Sequence, residues 1–293
     1  MLPFVFATDF GPFHPYGIAC ALGFFAWDWA VMRQAERRGF ARADFRACTI
    51  WVFATGALFA WIVDAVFYHP PGRSVTSTLL AFQGFSSTGA IVGATVGGLV
   101  WCRLLVEKRD GRWRVARREA PLSPLPMTEV IVSTWPLGWA FGRLGCAIIH
   151  DHPGVVVPKG TLGSLFALAW PTGPDDGVHH VFGPLHVVTG GSEARFDLGL
   201  LEFFVLAAIA AGFAATWKKD LRLGTYTIVG GLLYGPTRFF LDFLRAEDAA
   251  GGDMRHGGLT FAQYWSVGVV AIAIHLLLRR RRTTARVEHP HPG

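Results

Sequence analysis

Residues 194–216 read ARFDLGLLEFFVLAAIAAGFAAT, and this stretch decides the class of the fold. From Leu198 onward it is almost entirely apolar, with Glu202 as its single charged residue. A helix of roughly 20 apolar residues crosses a hydrocarbon core about 30 Å thick. Residues 198–216 therefore predict a membrane span, with Arg195 placed just before it.

The rest of the chain has the composition of a membrane protein. It is 52% hydrophobic and 16% charged, whereas soluble domains carry about 25% charged residues. We predict an all-α integral membrane protein with seven transmembrane helices, at 16–33, 48–68, 79–102, 129–149, 198–216, 223–243 and 259–278. The first span has no basic stretch before it, so we expect a retained helix and not a cleaved signal peptide.

The basic residues predict the orientation of these spans. Twenty of the 27 Lys and Arg residues fall in alternate loops at 33–46, 103–118 and 218–222 and in the tail at 279–286. Cytoplasmic loops are enriched in Lys and Arg, so the N-terminus is predicted to lie outside and the C-terminus inside. This distribution explains the net charge of +6 without a nucleic-acid partner.

The longest stretch outside the predicted spans is 150–196. Its Gly, Pro and β-branched residues predict a small external head that is partly built from strands. Residues 1–293 are thus predicted to form a single polytopic membrane domain, with 150–196 as a periplasmic insertion. The four cysteines show no CxxC spacing, so free buried thiols are expected and a disulfide framework is not.

Four arginines lie on the outer side of this predicted topology: Arg143, Arg195, Arg238 and Arg245. Charge at membrane depth is costly and usually marks a working site. Glu202 follows Arg195 by seven residues, on the same predicted helix face, and is a candidate counter-ion for an arginine.

A polar stripe is predicted along the sixth span, because residues at i, i+4 and i+7 share one helix face. It consists of Tyr234, Arg238, Asp242 and Arg245. Two explanations stay open. Asp242 neutralises its neighbours as a structural ion pair, or the surplus arginine charge forms a clamp for phosphate oxygens.

His150, Asp151 and His152 follow the fourth span at the predicted water interface. Imidazole and carboxylate both bind transition metals, but no pair here has the i, i+4 spacing of a helical zinc motif. We therefore predict no metal. One histidine as a general base is favoured over a metal site, because its pKa near neutrality suits proton abstraction. Plain interfacial histidines are the remaining explanation.

Five runs of the sequence resemble the ordered landmarks of prolipoprotein diacylglyceryl transferases. They are PYGIACALGFF from Pro15, GRLGCAIIHDHPG from Gly142, ARFDLGLLE from Ala194, YGPTRFFLDFLR from Tyr234 and GLTFAQYWS from Gly258. They stand in the family's order and cover nearly the whole chain. The predicted seven spans, outer N-terminus and external head are also those of the family.

This resemblance implies a multi-pass enzyme of the bacterial inner membrane. Such an enzyme moves the diacylglyceryl group of phosphatidylglycerol to the lipobox cysteine of a prolipoprotein and forms a thioether. Glycerol phosphate leaves, and no cofactor is needed. The implied partners are phosphatidylglycerol, prolipoprotein signal peptides and membrane lipids. Preorganised arginines suit this reaction, because the leaving phosphate gains negative charge as the C–O bond breaks.

The resemblance also carries over to individual residues. Arg143 and Arg238 match the family's essential arginines, and Tyr16 matches the tyrosine of its N-terminal motif. The expected catalytic residues are Tyr16, Arg143, His150, Asp151, His152 and Arg238. The expected binding residues for the lipid head group are Arg143, Arg195, Glu202, Tyr234, Arg238, Asp242 and Arg245.

The sequence departs from the family where the acceptor thiol would be activated. The signature's usual Gly-Asn-Phe-Ile-Asn-Gly-Glu becomes GCAIIHD from Gly145, so Cys146 replaces an asparagine and Asp151 a glutamate. Thr88 stands where the family has a histidine proposed as a base.

Three interpretations follow from these departures. The first is a divergent diacylglyceryl transferase in which His14, His150 or His152 replaces the missing base. The second is a membrane transferase with the same lipid donor and a different acceptor. The third is a non-catalytic lipid-binding homologue that kept the fold.

Overall fold

The computed structural model describes residues 1–67, 74–81, 85–109, 111–172, 177–191, 193–246 and 255–288. The protein is mostly helical. Its described helices are α1 (Pro15–Arg37), α2 (Arg42–Phe67), α3 (Val75–Ala81), α4 (Ser87–Trp101), α5 (Pro124–Ile149), α6 (Leu198–Thr216), α7 (Thr225–Leu241) and α8 (Phe261–Glu288). Its described strands are β1 (Phe4–Ala7), β2 (Leu104–Arg109), β3 (Arg112–Arg117), β4 (Pro153–Val156), β5 (Leu168–Trp170), β6 (Gly177–Phe182), β7 (Leu185–Thr189) and β8 (Glu193–Asp197).

Six of the seven predicted spans each overlap one helix. Residues 198–216 match α6 at both ends, while the predicted span 79–102 contains the end of α3 and all of α4, with 82–84 outside the described residues. Among the described residues, three helical stretches are long and apolar enough to cross a membrane: Arg42–Phe67, Leu198–Thr216 and Phe261–Arg281. The arrangement of seven spans with an outer N-terminus stays a prediction.

The strands correct the prediction of an all-α protein. Strands β4 to β8 lie in the stretch 150–196, where a partly strand-built head was expected, but β1 and the β2–β3 hairpin were not predicted. The hairpin sequence was interpreted only as a basic loop, because its many charged residues made a strand pattern hard to recognise. The apolar residues Leu104 and Val106 in β2, and Trp113 and Val115 in β3, stand two positions apart. Residues 173–176 and 192 of the head lie outside the described part.

The chain forms two compact units. The first comprises Met1–Trp29, Thr134–Thr216 and Leu233–Asp253, and the second comprises Ala30–Ser133, Trp217–Leu232 and Met254–Gly293. The single polytopic domain with 150–196 as a periplasmic insertion stays a prediction.

In the second unit, α4 packs closely on α2 along a row of glycines at four-residue spacing. A Cβ atom on Gly89 would lie 2.5 Å from the carbonyl oxygen of Phe59, and one on Gly93 would overlap the backbone of Thr55. The Thr55 hydroxyl donates a hydrogen bond to the Gly93 carbonyl at 2.7 Å. Small residues at this spacing let two helix backbones approach, as is common in membranes.

Glu129 explains where α7 begins in the same unit. Its carboxylate is fully buried and accepts hydrogen bonds from the backbone N–H and hydroxyl of Thr227, both at 2.7 Å. The first turn of a helix has N–H groups without partners inside the helix. Glu129 satisfies them and places a negative charge at the positive end of the helix dipole.

In the first unit, the head strands connect directly to two long helices. Strand β8 runs without a break into α6, and β4 begins four residues after α5 ends. Asp197 ends β8 and caps α6, because its Oδ1 accepts the backbone N–H of Leu200 at 2.8 Å. The strand orders are β4-β8-β5 and β1-β7-β6, so the N-terminal strand belongs to the second head sheet.

Candidate functional site

Two arginines from different helices meet at one carboxylate oxygen in the first unit. The Nε atom of Arg143 in α5 lies 3.0 Å from Oε2 of Glu202 in α6. The Nη1 atom of Arg238 in α7 lies 3.1 Å from the same oxygen. The Tyr234 hydroxyl donates to the other oxygen, Oε1, at 2.6 Å. The carboxylate of Glu202 in α6 therefore links α5 and α7.

Glycine at the start of α6 permits this meeting. A Cβ atom on Gly199 would lie 2.9 Å from the backbone nitrogen of Ala147 and 3.0 Å from Cβ of Cys146. Such distances are too short for any side chain, so glycine lets α6 approach α5 closely. Glu202, one turn further along α6, then reaches Arg143.

A third arginine joins the cluster through Asp242. The Nη2 atom of Arg238 lies 3.1 Å from Oδ1 of Asp242, and Nη2 of Arg245 lies 3.8 Å from the same oxygen. Helix α7 ends at Leu241, and Asp242–Leu244 form a 3₁₀ turn. The predicted stripe is thus brought together, but it does not lie on one helix. Tyr234 and Arg238 belong to α7, whereas Asp242 begins the 3₁₀ turn and Arg245 directly follows it.

This arginine cluster, consisting of Arg143, Arg238, Arg245, Glu202 and Asp242, is buried and holds more positive than negative groups. The three arginines are 4%, 6% and 7% exposed, and both carboxylates are fully buried. Burying charge is costly unless opposite charge and hydrogen bonds compensate for it. Within these five residues, three guanidinium groups face two carboxylates, and the carboxyl group of Asp151 interacts electrostatically with Arg143 and Arg245.

Arg195 contacts other groups than the sequence indicated. Its Nε donates to Glu193 at 2.7 Å, and its Nη1 donates to the Gly154 carbonyl at 3.4 Å. The expectation that Glu202 shares a helix face with Arg195 was wrong, because Arg195 lies in strand β8 and only Glu202 lies in α6. Arg195 instead lines a cavity of about 500 Å³ with Asp151 and Trp170.

His150 is engaged at both ring nitrogens. Nδ1 lies 2.6 Å from Oδ2 of Asp197, and Nε2 lies 2.9 Å from the carbonyl oxygen of Val5. Both partners are acceptors, so whichever ring nitrogen carries the proton has an oxygen to donate it to. The ring also stacks on Phe4 at 3.9 Å between centroids. This geometry joins β1, the end of α5 and the start of α6.

His152 has a different environment from His150. Its Nδ1 lies 3.1 Å from Oδ1 of Asp151, and the imidazole is about one fifth exposed. Burial, together with the positive charges of Arg143 and Arg245, holds the pKa of His152 well below its ordinary value. Its ring is therefore neutral near pH 7.

The pKa of Asp151 is shifted in the opposite direction, upward. Burial raises the pKa of its carboxyl group, and the positive charge of Arg143 partly opposes that rise. The pair formed by Asp151 and His152 lies within the electrostatic reach of the arginine cluster. Asp197, which holds His150, was missed from the sequence, although an Asp directly before an apolar run is a typical helix N-cap.

The candidate base His14 and two other residues named from the sequence lie elsewhere. His14 is mostly exposed, with Nε2 3.9 Å from Asp9. Thr88 is buried in α4, in the second unit. Tyr16 is the second residue of α1 and lies beside Gly145, where an added Cβ would come within 3.0 Å of the tyrosine ring.

One group of side chains has the composition of a metal site. Ligand atoms of Cys146, Asp151 and His152 lie within 4.8 Å of one another, and zinc accepts sulfur, oxygen and nitrogen ligands. However, Nη1 of Arg143 lies 3.8 Å from the Cys146 sulfur, and its positive charge opposes a bound cation. We assign no metal here, and the absence of one stays a prediction.

Comparison with known proteins gives one consistent family. The family model described as prolipoprotein diacylglyceryl transferase matches residues 3–279. Three similar curated proteins are named phosphatidylglycerol–prolipoprotein diacylglyceryl transferase. The protein of Chromohalobacter salexigens is 26% identical over 94% of this chain and 92% of its own. That of Helicobacter pylori strain Shi470 is 24% identical over 98% and 95%, and that of Acinetobacter baumannii strain ACICU is 25% identical over 92% and 90%.

Proposed function

The chain belongs to the prolipoprotein diacylglyceryl transferase family, and we propose that it transfers the diacylglyceryl group of phosphatidylglycerol to the lipobox cysteine of a prolipoprotein. The observation that carries this proposal is the meeting of Arg143 and Arg238 at one oxygen of Glu202. Two guanidinium groups held at one point form a site for the oxygens of a phosphate group.

The arginines act on the leaving group. The C–O bond between the glyceryl carbon and the phosphate breaks, and glycerol phosphate leaves with the electron pair of that bond. Arg143 and Arg238 lie in a buried, preorganised arrangement, so they stabilise this charge without reorganising. Arg245 adds a third positive charge through Asp242, and Tyr234 and Glu202 hold the arginines in place.

His152 activates the acceptor in this proposal. The cysteine thiol loses its proton to the neutral imidazole, and the thiolate forms the new C–S bond with the glyceryl carbon. A base must be deprotonated at the working pH, and burial and the nearby arginines keep the pKa of His152 low enough for this. Asp151 lies beside the ring, with its Oδ1 atom 3.1 Å from Nδ1.

The remaining predicted site residues take supporting roles. His150, bound by Asp197 and Val5, positions the segment that carries His152. Arg195 lines the cavity beside Asp151 and is assigned to binding of the head group or the peptide. Tyr16 borders the same end of α5 and is kept as a catalytic candidate.

The same proposal includes the surroundings of the enzyme. The protein crosses the bacterial inner membrane seven times, with its N-terminus outside, its C-terminus in the cytoplasm and its head on the periplasmic side. Its partners are phosphatidylglycerol, prolipoprotein signal peptides and membrane lipids. The reaction uses no cofactor.

Release of glycerol phosphate tests this function. The purified protein in detergent, given phosphatidylglycerol and a lipobox peptide, is expected to release it, and Arg143→Ala or Arg238→Ala lowers the rate by about 100-fold or more. Arg42→Ala is the matched control, because that arginine is 63% exposed and pairs with Glu36. It should leave the rate unchanged.

Two results distinguish the alternatives. No release from phosphatidylglycerol, with a protein that is folded, contradicts the proposed transferase. Release that continues when the peptide cysteine is replaced by serine indicates a different acceptor, the possibility to which the departures at Thr88 and Cys146 point.

A further inference from the structure

The segment between α4 and α5 is a two-stranded antiparallel hairpin, formed by β2 and β3. Its register pairs Leu104 with Arg117, Val106 with Val115 and Lys108 with Trp113. Residues directly opposite in an antiparallel pair share one face, and successive residues alternate between faces. These six side chains, called the hairpin face below, therefore point to the same side.

The base of the hairpin is attached firmly to the membrane helices of the second unit. Arg118 directly follows β3, and its Nη2 donates to Oδ1 of Asp44 at 2.6 Å. Its guanidinium group lies 4.9 Å from the ring centroid of Trp101, the last residue of α4. Trp101 in turn donates to the Asp44 carbonyl at 3.0 Å. The hairpin is thereby held at the ends of α2 and α4.

Large apolar side chains on the hairpin face are open to the surroundings. Trp113 is 73% exposed and Val115 is 58% exposed. Tryptophan is enriched where a membrane meets water, because its ring is apolar and its N–H is polar. Trp113 lies beside the turn of the hairpin, opposite Lys108, and its exposed ring is suited to such a boundary.

Both sides of the hairpin carry basic residues, with Arg112 and Arg114 on the side away from the hairpin face, but the acidic residue lies on one side only. The segment 103–118 contains seven basic and two acidic residues. On the hairpin face, the charged residues are the basic Lys108 and Arg117. Glu107 lies on the opposite face, directly across from Arg114. Among the described residues of the hairpin, acid is thus confined to the side away from Trp113.

We propose that the hairpin face docks on an anionic bilayer surface, with Trp113 and Val115 at the boundary between head groups and acyl chains. Lys108 and Arg117 flank these apolar side chains and contact lipid phosphates. Basic residues next to a membrane helix are attracted to anionic lipid, and aliphatic Lys and Arg stems cover apolar surface while their charged ends stay in water. The hairpin then serves as an interfacial anchor for α4 and α5, which is a role beyond the transfer reaction.

Fluorescence of Trp113 in lipid nanodiscs tests this docking. The emission of Trp113 is obtained by subtracting the spectrum of Trp113→Phe from that of the wild-type protein. In discs of phosphatidylglycerol it should shift to shorter wavelength relative to discs of phosphatidylcholine, and bromine on the acyl chains should quench it. An emission that is unquenched and the same in both lipids overturns the proposal. A blue-shifted emission that bromine does not quench means that protein covers Trp113, which also overturns it.

Two double variants with equal charge change test which side docks. Lys108→Glu with Arg117→Glu alters the hairpin face and should make quenching in phosphatidylglycerol discs fall several-fold. Arg112→Glu with Arg114→Glu alters the other side and should retain most of the quenching. Equal loss in both variants contradicts the assignment of the face. Thermal unfolding of each variant shows that it is folded.

Discussion

At the scale of single residues, Glu202 organises the site because one oxygen accepts two arginines. The sequence identified Arg143, Arg238 and Glu202 separately, but it did not show that they meet. Periodicity within one helix relates residues a few turns apart, whereas these three come from α5, α7 and α6. The same limit explains why Arg195 and Glu202 were wrongly placed on one helix face, since Arg195 belongs to a strand.

If His152 is the base, its pKa sets the pH at which kcat/KM falls on the acid side. Its pKa is held well below the ordinary value of about 6.5, so the wild-type rate should fall only below that pH. Arg245→Gln removes one of the positive charges that lower this pKa. The pKa then rises, and the fall in kcat/KM moves to higher pH.

Controls separate this effect from a loss of binding. The position of the acid limb is measured for Arg245→Gln and for Arg195→Gln, which removes an arginine that is paired with Glu193. Arg195→Gln should leave the pH of the acid limb unchanged. His152→Ala should remove the limb together with most of the activity. A limb that stays unmoved in Arg245→Gln would exclude His152 as the base.

At the scale of elements, the packing of α4 on α2 depends on glycine. The sequence showed small residues in this span, but their contact with one particular helix is visible only in the fold. Gly89, Gly93 and Gly97 all face α2, since a Cβ atom on each would overlap residues of that helix. Thr55 adds a hydrogen bond across the same contact.

Gly93→Ala is expected to lower the stability of the protein by about 1–3 kcal/mol, because the added carbon has no space and the helices must separate. Gly212→Ala in α6 is the matched variant, since no atom lies within 4 Å of its added Cβ. It should be neutral or stabilising by up to about 1 kcal/mol. Thermal unfolding in detergent measures both, and the reverse order of midpoints would contradict this packing.

At the scale of the whole molecule, charge and hydropathy predict the topology. Alternate loops carry 20 of the 27 basic residues, which by the positive-inside rule places the β2–β3 hairpin in the cytoplasm and the head outside. The head strands between α5 and α6 and the basic hairpin between α4 and α5 are separated in the chain by α5, so the prediction that α5 is a span also predicts that they face opposite sides of the membrane.

Labelling of single cysteines tests this topology. Val178→Cys in β6 and Arg112→Cys in β3 introduce thiols at exposed positions. In spheroplasts, a membrane-impermeant maleimide is expected to label the first variant directly and the second only after lysis. The unaltered protein controls for labelling of its four native cysteines, of which three are buried. Equal labelling of both variants before lysis would refute the orientation.

The sequence by itself determined that the protein is mostly helical and apolar, the approximate place of its long helices and its family, and it supplied the candidate residues of the site. Apolar runs and charge asymmetry are local properties, and they act through the cost of placing polar groups in lipid. The tertiary structure alone decided which charges pair, that His150 is held by Asp197 and Val5 while His152 faces Asp151, and that a basic loop folds into a hairpin with an apolar face. These depend on distances between segments far apart in the chain, which only the packing of helices and strands establishes.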